Sequence, residues 1–202
     1  MARLRLGILG GTFDPVHRGH LALANAARDE LGLDEVLFLP AGQPWRKAGR
    51  MIASNEHRLA MLRRALEGEA AFPVSTLELE RAGPSYTADT LEALRGDRPE
   101  DELFFLVGED ALMDLPNWER PQRILELARL AVARRADSSP EALEEAERRL
   151  PGLGERVIWL RMSVLAVSAT EIRERVRGGQ PIGNLAPAAV EEYIRKQGLY
   201  RE

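Results

Sequence analysis

Gly10-Gly11-Thr12-Phe13-Asp14-Pro15-Val16-His17-Arg18-Gly19-His20 follows the apolar run Leu4-Arg5-Leu6-Gly7-Ile8-Leu9 and leads into Leu21-Ala22-Leu23-Ala24-Asn25-Ala26-Ala27. The stretch reads as strand, glycine turn and helix. Its spacing predicts His17 and His20 on one face of the first helical turn, where the backbone N–H groups have no intrahelical partner. Such a helix start suits phosphate, because its dipole and its donors both favour an anion. Gly10 and Gly11 let the backbone approach a ligand closely, and Thr12 offers a hydroxyl. Two of the three histidines fall in this segment. They also read as two satisfied histidines at a half-buried helix start, or as a metal pair. The metal reading needs a third ligand, and only His57 remains in a chain without cysteine; no metal-binding residue is assigned.

Outward from this stretch, strand and helix alternate. Strands are predicted at Leu4 to Leu9, Glu35 to Leu39, Phe72 to Leu79, Glu102 to Val107, Leu130 to Arg134 and Arg156 to Leu160. Helices are predicted at His17 to about Leu31, Asn55 to Leu66, Tyr86 to Leu94, Pro121 to Ala128, Pro140 to Leu150, Ser168 to Arg177 and Pro187 to Gln197. The charged helix from Pro140 reads as a solvated surface element. The pattern implies an α/β chain: a doubly wound, mainly parallel sheet with helices on both faces and a small helical part at about 168–202. Its ligand is expected at the carboxyl ends of the strands.

The composition narrows the classes. A chain of 202 residues is one large domain, or a domain with a small appendage, and residues 1–202 are read here as a single domain. The net charge of -4 gives no sign of a nucleic-acid or membrane partner. Of 28 basic residues only Lys47 and Lys196 are lysine, so a lone arginine carries little signal. With no cysteine, disulfides, thiolate catalysis and cysteine zinc sites are excluded. No apolar run approaches the ~20 residues of a membrane span, and the N-terminus lacks a signal-peptide pattern. A cytoplasmic protein is expected; the sequence leaves a homo-oligomer open.

Two further constellations stand out. Val167-Ser168-Ala169-Thr170-Glu171-Ile172-Arg173 contains a Ser-x-x-Glu capping box. A helix start carrying Ser168, Thr170 and Arg173 is also a seat for polyphosphate. The third set is Pro84-Ser85-Tyr86-Thr87-Ala88-Asp89-Thr90-Leu91, then Val107-Gly108-Glu109-Asp110, then Leu115-Pro116-Asn117-Trp118. As structure alone these are a helix cap, a strand-to-turn junction and a buried tryptophan.

Thr12 to His20 resembles the Thr/Ser-x-Phe-Asp-x-x-His-x-Gly-His signature of the nucleotidyltransferase superfamily. Ser168 to Arg173 is similar to the Ile-Ser-x-Thr-x-Ile-Arg motif that closes its active site. With the third set and the terminus Tyr193 to Arg201, the chain resembles the bacterial nicotinate-nucleotide adenylyltransferases over nearly its whole length. The resemblance is weakest over 136–155. It implies a Rossmann-like nucleotidyltransferase domain and an enzyme of NAD biosynthesis. ATP and nicotinate mononucleotide would react to give deamido-NAD and pyrophosphate, with Mg²⁺ held mainly through the ATP phosphates. It implies catalytic roles for His17, His20, Lys47 and Arg173. ATP would meet Gly10, Gly11, Thr12, Phe13, His17, His20, Gly108, Asp110, Ser168, Thr170 and Arg173. The acceptor nucleotide would meet Asp14, Arg46, Lys47, Ser85, Tyr86, Thr87 and Trp118. One departure is visible: the family's usual Pro-Pro-His-Lys loop stands here as Pro44-Trp45-Arg46-Lys47, which keeps the basic end and loses the histidine.

Other readings remain at this stage. A sister transferase could use nicotinamide mononucleotide or phosphopantetheine. A class I aminoacyl-tRNA synthetase shares the His-x-Gly-His string but needs a Lys-Met-Ser-Lys-Ser-like loop, which the sequence lacks. A nucleotide-sensing regulator would need no turnover, and intact His17, His20 and Arg173 argue against it.

Overall fold

The computed structural model describes residues 3–44, 52–134, 140–163 and 166–201. Five strands form one sheet: β1 (Arg5–Gly11), β2 (Glu35–Pro40), β3 (Glu102–Gly108), β4 (Arg129–Arg134) and β5 (Val157–Ser163). Their order is β2-β1-β3-β4-β5, and every pairing is parallel. The helices are α1 (Arg18–Leu31), α2 (Asn55–Ala65), α3 (Leu77–Glu80), α4 (Thr87–Asp97), α5 (Glu109–Asp114), α6 (Pro121–Leu127), α7 (Pro140–Arg149), α8 (Leu153–Arg156), α9 (Ala169–Arg177) and α10 (Ala188–Gln197). A 3-10 turn, Leu115–Asn117, follows α5.

The strands are apolar along both faces, as burial of a sheet under helices on each side requires. Successive residues then serve two separate cores. Leu9, Phe38, Phe104, Leu106 and Leu160 pack with residues of α1, α2, α9 and α10. Leu6, Ile8, Leu37, Phe105 and Val132 pack with residues of α4 to α8. The period of two along each strand thus assigns every side chain to one layer or the other. The doubly wound sheet read from the sequence is the observed one. The strand order reverses between β1 and β3, and the crevice at their carboxyl ends is where such sheets bind ligands.

Two expectations are corrected. Phe72 to Leu79 is not a strand of the sheet. Ala71 and Pro73 accept hydrogen bonds from Val36 and Phe38, Ser75 donates to Phe38, and a single bridge links Val74 to Phe38. Pro73 has no N–H to donate, so a ladder cannot run through it. The chain then turns into α3. The helix from Pro140 is not solvated all round: Ala146 and Leu150 are buried in the second core, and Leu143 packs against it.

Candidate active site

β1 ends at Gly11, and the chain turns through Thr12 to Val16 before α1 begins. His17 is the N-cap of α1, with extended backbone (φ -143°, ψ 171°). Its N–H donates to Nδ1 of His20 at 3.1 Å. That bond assigns the His20 proton to Nε2, leaving that nitrogen as a donor. The two imidazoles stack with centroids 3.7 Å apart. Phe13 also meets His20, edge-on at 4.9 Å. His20 is therefore held against two rings, its orientation set before any ligand arrives. Gly19 makes the stack possible: a Cβ there would lie 3.1 Å from Nδ1 of His17.

Opposite this turn lies the start of α9. Ser168 is its N-cap, and its hydroxyl accepts from the Glu171 N–H at 3.1 Å. The capping box is thus formed on its serine side. Arg173, one turn in, donates from Nη1 to the Asp14 carbonyl at 2.7 Å and from Nη2 to the Thr170 hydroxyl at 3.3 Å. The same Nη1 lies 3.8 Å from Oδ2 of Asp14.

Between these two helix starts is a cavity of about 310 Å³, lined by Thr12, Phe13, Asp14, His17, His20, Ser168, Thr170 and Arg173, together with Ile52, Val167 and Ala169. Residues 150 positions apart in the chain are brought to one space. The first turns of α1 and α9 both border it, so two helix dipoles add positive potential. Asp14 is the one carboxylate among its described lining residues. It is 3 % exposed, and its Oδ1 accepts from the Tyr200 hydroxyl at 2.7 Å and the Ala53 N–H at 3.2 Å.

The other predicted residues that the structure describes are not among the lining of this cavity. Gly108 ends β3 and caps α5, and Asp110 stands in the first turn of that helix. Tyr86 is the N-cap of α4, and Thr87 is its first residue. Trp118 closes the 3-10 turn. Its indole N–H donates to Asp114 at 3.0 Å, and Phe105 meets its ring edge-on at 6.0 Å. The Ser85 hydroxyl accepts from the N–H groups of Gly42 and Gln43, at 3.0 and 3.3 Å. Those bonds tie Ser85 to the loop after β2. Gly42 is held so closely that a Cβ would lie 2.1 Å from the Glu78 carbonyl oxygen. Trp45, Arg46 and Lys47 lie outside the described residues.

Two residues of the site escaped the sequence reading. Arg58 of α2 is 1 % exposed. It donates to the carbonyls of Thr12 at 2.7 Å, Ala41 at 2.6 Å and Ala53 at 3.2 Å, and to the Asn55 side chain. Burial pushes its guanidinium below the ordinary value, and the Asp14 charge opposes that. Tyr200 is the other: burial, then the Asp14 charge, hold its phenol well above the usual range, so it remains a donor. Arg58 had a readable signal, since it shares a helical stripe with Met61, Leu62 and Ala65, where a charge is out of place.

A parallel sheet with its reversal point beside a cavity bordered by two helix starts and two histidines defines a Rossmann-like α/β fold. The Cytidylyltransferase-like family model matches residues 8–175. A "Probable nicotinate-nucleotide adenylyltransferase" of Thermomicrobium roseum is 49% identical over 197 residues, 98% of this chain and 92% of that protein. One of the same name from Roseiflexus is 46% identical over 201 residues, 100% of both. The solved Plasmodium falciparum nicotinic acid mononucleotide adenylyltransferase, complexed with NaAD, has the same fold (TM-score 0.80, 98% of both chains, 16% identity). The chain belongs to the nicotinate-nucleotide adenylyltransferases of the Cytidylyltransferase-like family.

Proposed function

We infer that this chain transfers the adenylyl group of ATP to nicotinate mononucleotide, the step of NAD biosynthesis for which its relatives are named. The observation that carries this reading is the cavity where two helix starts, two stacked imidazoles and Arg173 meet at the end of β1. An oxygen of the acceptor 5′-phosphate attacks the α-phosphorus of ATP. A new P–O bond forms, the bond from that phosphorus to the bridging oxygen breaks, and pyrophosphate leaves with the electron pair. The attacking phosphate is already anionic at neutral pH, so the step needs no general base. What remains is alignment and charge stabilisation, which donors of this kind supply.

His17 and His20 meet the phosphates that pass through the transition state, His20 donating from Nε2. Gly10, Gly11, Thr12 and Phe13 form the turn beneath them. Ser168, Thr170 and Arg173 take the outer phosphates of ATP, with Gly108 and Asp110 at its adenosine. Lys47 and Arg46 neutralise phosphate from the loop after β2. Tyr86, Thr87 and Trp118 hold the pyridine ring, with Ser85 setting the loop beside them and Asp14 ordering the acceptor side of the cavity. Asp14 already accepts two hydrogen bonds, and among the described residues no three His, Asp or Glu could hold a metal ion. This donor set fits Mg²⁺ carried on ATP oxygens rather than in a protein cage; when bound there, the ion neutralises phosphate charge. No helix of the described residues is long and apolar enough to cross a membrane, and the proposed setting is the cytoplasm.

Pyrophosphate release with ATP and each of three acceptors tests the reading. Nicotinate mononucleotide should be used at least ~100-fold more efficiently than nicotinamide mononucleotide. An amide in place of the carboxylate leaves site donors unmatched, at about 1–3 kcal/mol each. Comparable efficiencies, or preference for phosphopantetheine, would overturn the acceptor assignment.

A further inference from the structure

The C-terminal segment enters the site from the far end of the chain. α10 closes on Gly198 in the left-handed region (φ 65°), whose N–H bonds back to the last turn, and Leu199 donates to Ile194 at 3.1 Å. This turn sends the next residue back across the core. Tyr200 then also adopts a left-handed backbone (φ 63°), a conformation that a bulky residue holds only when its surroundings over-determine it. Those surroundings are visible. Tyr200 packs against the first core, and its hydroxyl reaches Oδ1 of Asp14, 186 positions away in the chain.

Asp14 is a junction rather than an end point. Its Oδ1 also receives the Ala53 N–H, which ends the loop after β2. Its carbonyl and Oδ2 face the Arg173 guanidinium. The carbonyl belongs to the backbone and keeps its bond, but a carboxylate free to rotate would lose the 3.8 Å ion pair to Arg173 and the Ala53 bond. Ala53 and Tyr200 are the two donors on Oδ1, and Tyr200 comes from outside both of the motif stretches.

We propose that Tyr200 is a positioning residue for adenylyl transfer: it fixes the Asp14 carboxylate, which in turn keeps Arg173 aimed into the phosphate cavity. The proposal rests on the reading that this cavity takes the phosphates of ATP. It predicts a selective defect. Arg173, the group Tyr200 aims, lines that cavity, whereas Tyr86, Thr87 and Trp118 are not among its lining residues.

The test is Tyr200→Phe in the full chain, which keeps the ring and removes only the hydroxyl. Turnover should fall ~10-fold and KM for ATP should rise several-fold. KM for nicotinate mononucleotide should stay within about twofold, and the melting temperature within a few degrees. In an Arg173→Ala background, Tyr200→Phe should add little, because the group it aims is gone. Wild-type kinetics in Tyr200→Phe, equal changes in both KM values, or full additivity with Arg173→Ala would each overturn the proposal. ATP affinity by calorimetry separates this from the acceptor assignment. If the wild type binds ATP but does not use nicotinate mononucleotide, the acceptor reading fails, while a ~10-fold loss of ATP affinity in Tyr200→Phe still supports positioning. Unchanged ATP affinity in that variant overturns it.

Discussion

Around Asp14, the site is tied together by three side chains from distant places: Arg58, Arg173 and Tyr200 converge on the turn at 12–14, and Arg58 and Asp14 also hold the loop ends at Ala41 and Ala53. Around Trp118 the ties are short. Its indole bonds Asp114 four residues earlier, Asn117 bonds the same carboxylate, and Tyr86 caps its own helix through a backbone bond from Thr90. The first end is a knot, in which one lost bond shifts several partners. The second is assembled locally, and each piece can change with less effect on the rest. Reaction geometry is set at the phosphates and tolerates little displacement. A ring pocket supplies binding, where small shifts cost less.

Arg58→Met tests the knot most severely. It leaves three part-buried carbonyls without their donor, and stability should fall by about 3 kcal/mol. Urea denaturation would measure this; a loss below about 1 kcal/mol would show that the loops are held by other contacts. His20→Ala comes next. Turnover should drop ~100-fold or more, about 3 kcal/mol of transition-state stabilisation, with a near-native melting curve. Near-normal turnover would remove His20 from the chemistry and weaken the contrast between the two ends.

Trp118→Ala sharpens the comparison from the other side. Loss of stacking should raise KM for nicotinate mononucleotide ~10-fold, at about 1–3 kcal/mol for a ring on an aromatic face. KM for ATP should not move, and the preference for the acid over the amide should survive. If both KM values rose together, the ends would be coupled and the local description of the second end would fail.

The smallest effect concerns Glu78, which stands between the ends. Burial holds its carboxyl above the ordinary range, with Thr90, Ser85 and Arg81 opposing. The folded state therefore binds this proton more tightly than the unfolded chain does. The stability it contributes is complete below the unfolded value, ~4.3, and is lost as pH rises through the higher folded value. Glu78→Gln cannot ionise, so its gain over the native chain should grow from pH 4 to pH 8, reaching about 1 kcal/mol. Melting curves at the two pH values should diverge; a constant offset would show that Glu78 is not strained by ionisation.

The legible parts of the molecule share one property: their physics is local. The glycine turn and the two histidines sit within eleven residues, and period two marks both faces of β1 and β3. The Ser168 cap announces itself by the residue three places on. Phe72 to Leu79 misled because its apolar content suits a strand, while Pro73 removes the donor a ladder needs. Arg58 betrayed its burial by its place on an apolar stripe but not its partners, and Tyr200 looked like an ordinary terminus. Both act through bonds to residues 46 and 186 positions away, which no spacing rule reaches.

By itself the sequence determined that a strand would turn through glycines into a helix start carrying two histidines, and that helices would cover both faces of a sheet. Those outcomes follow from dihedral preferences, hydrophobic period and the unpaired N–H groups of any helix. Only the tertiary structure decided that the start of α9 faces the start of α1 across one cavity. It alone decided that Arg58 lies buried beneath the loops and that the last turn of the chain reaches Asp14. Those outcomes depend on how two cores pack the elements against one sheet, and burial then makes each distant polar bond obligatory.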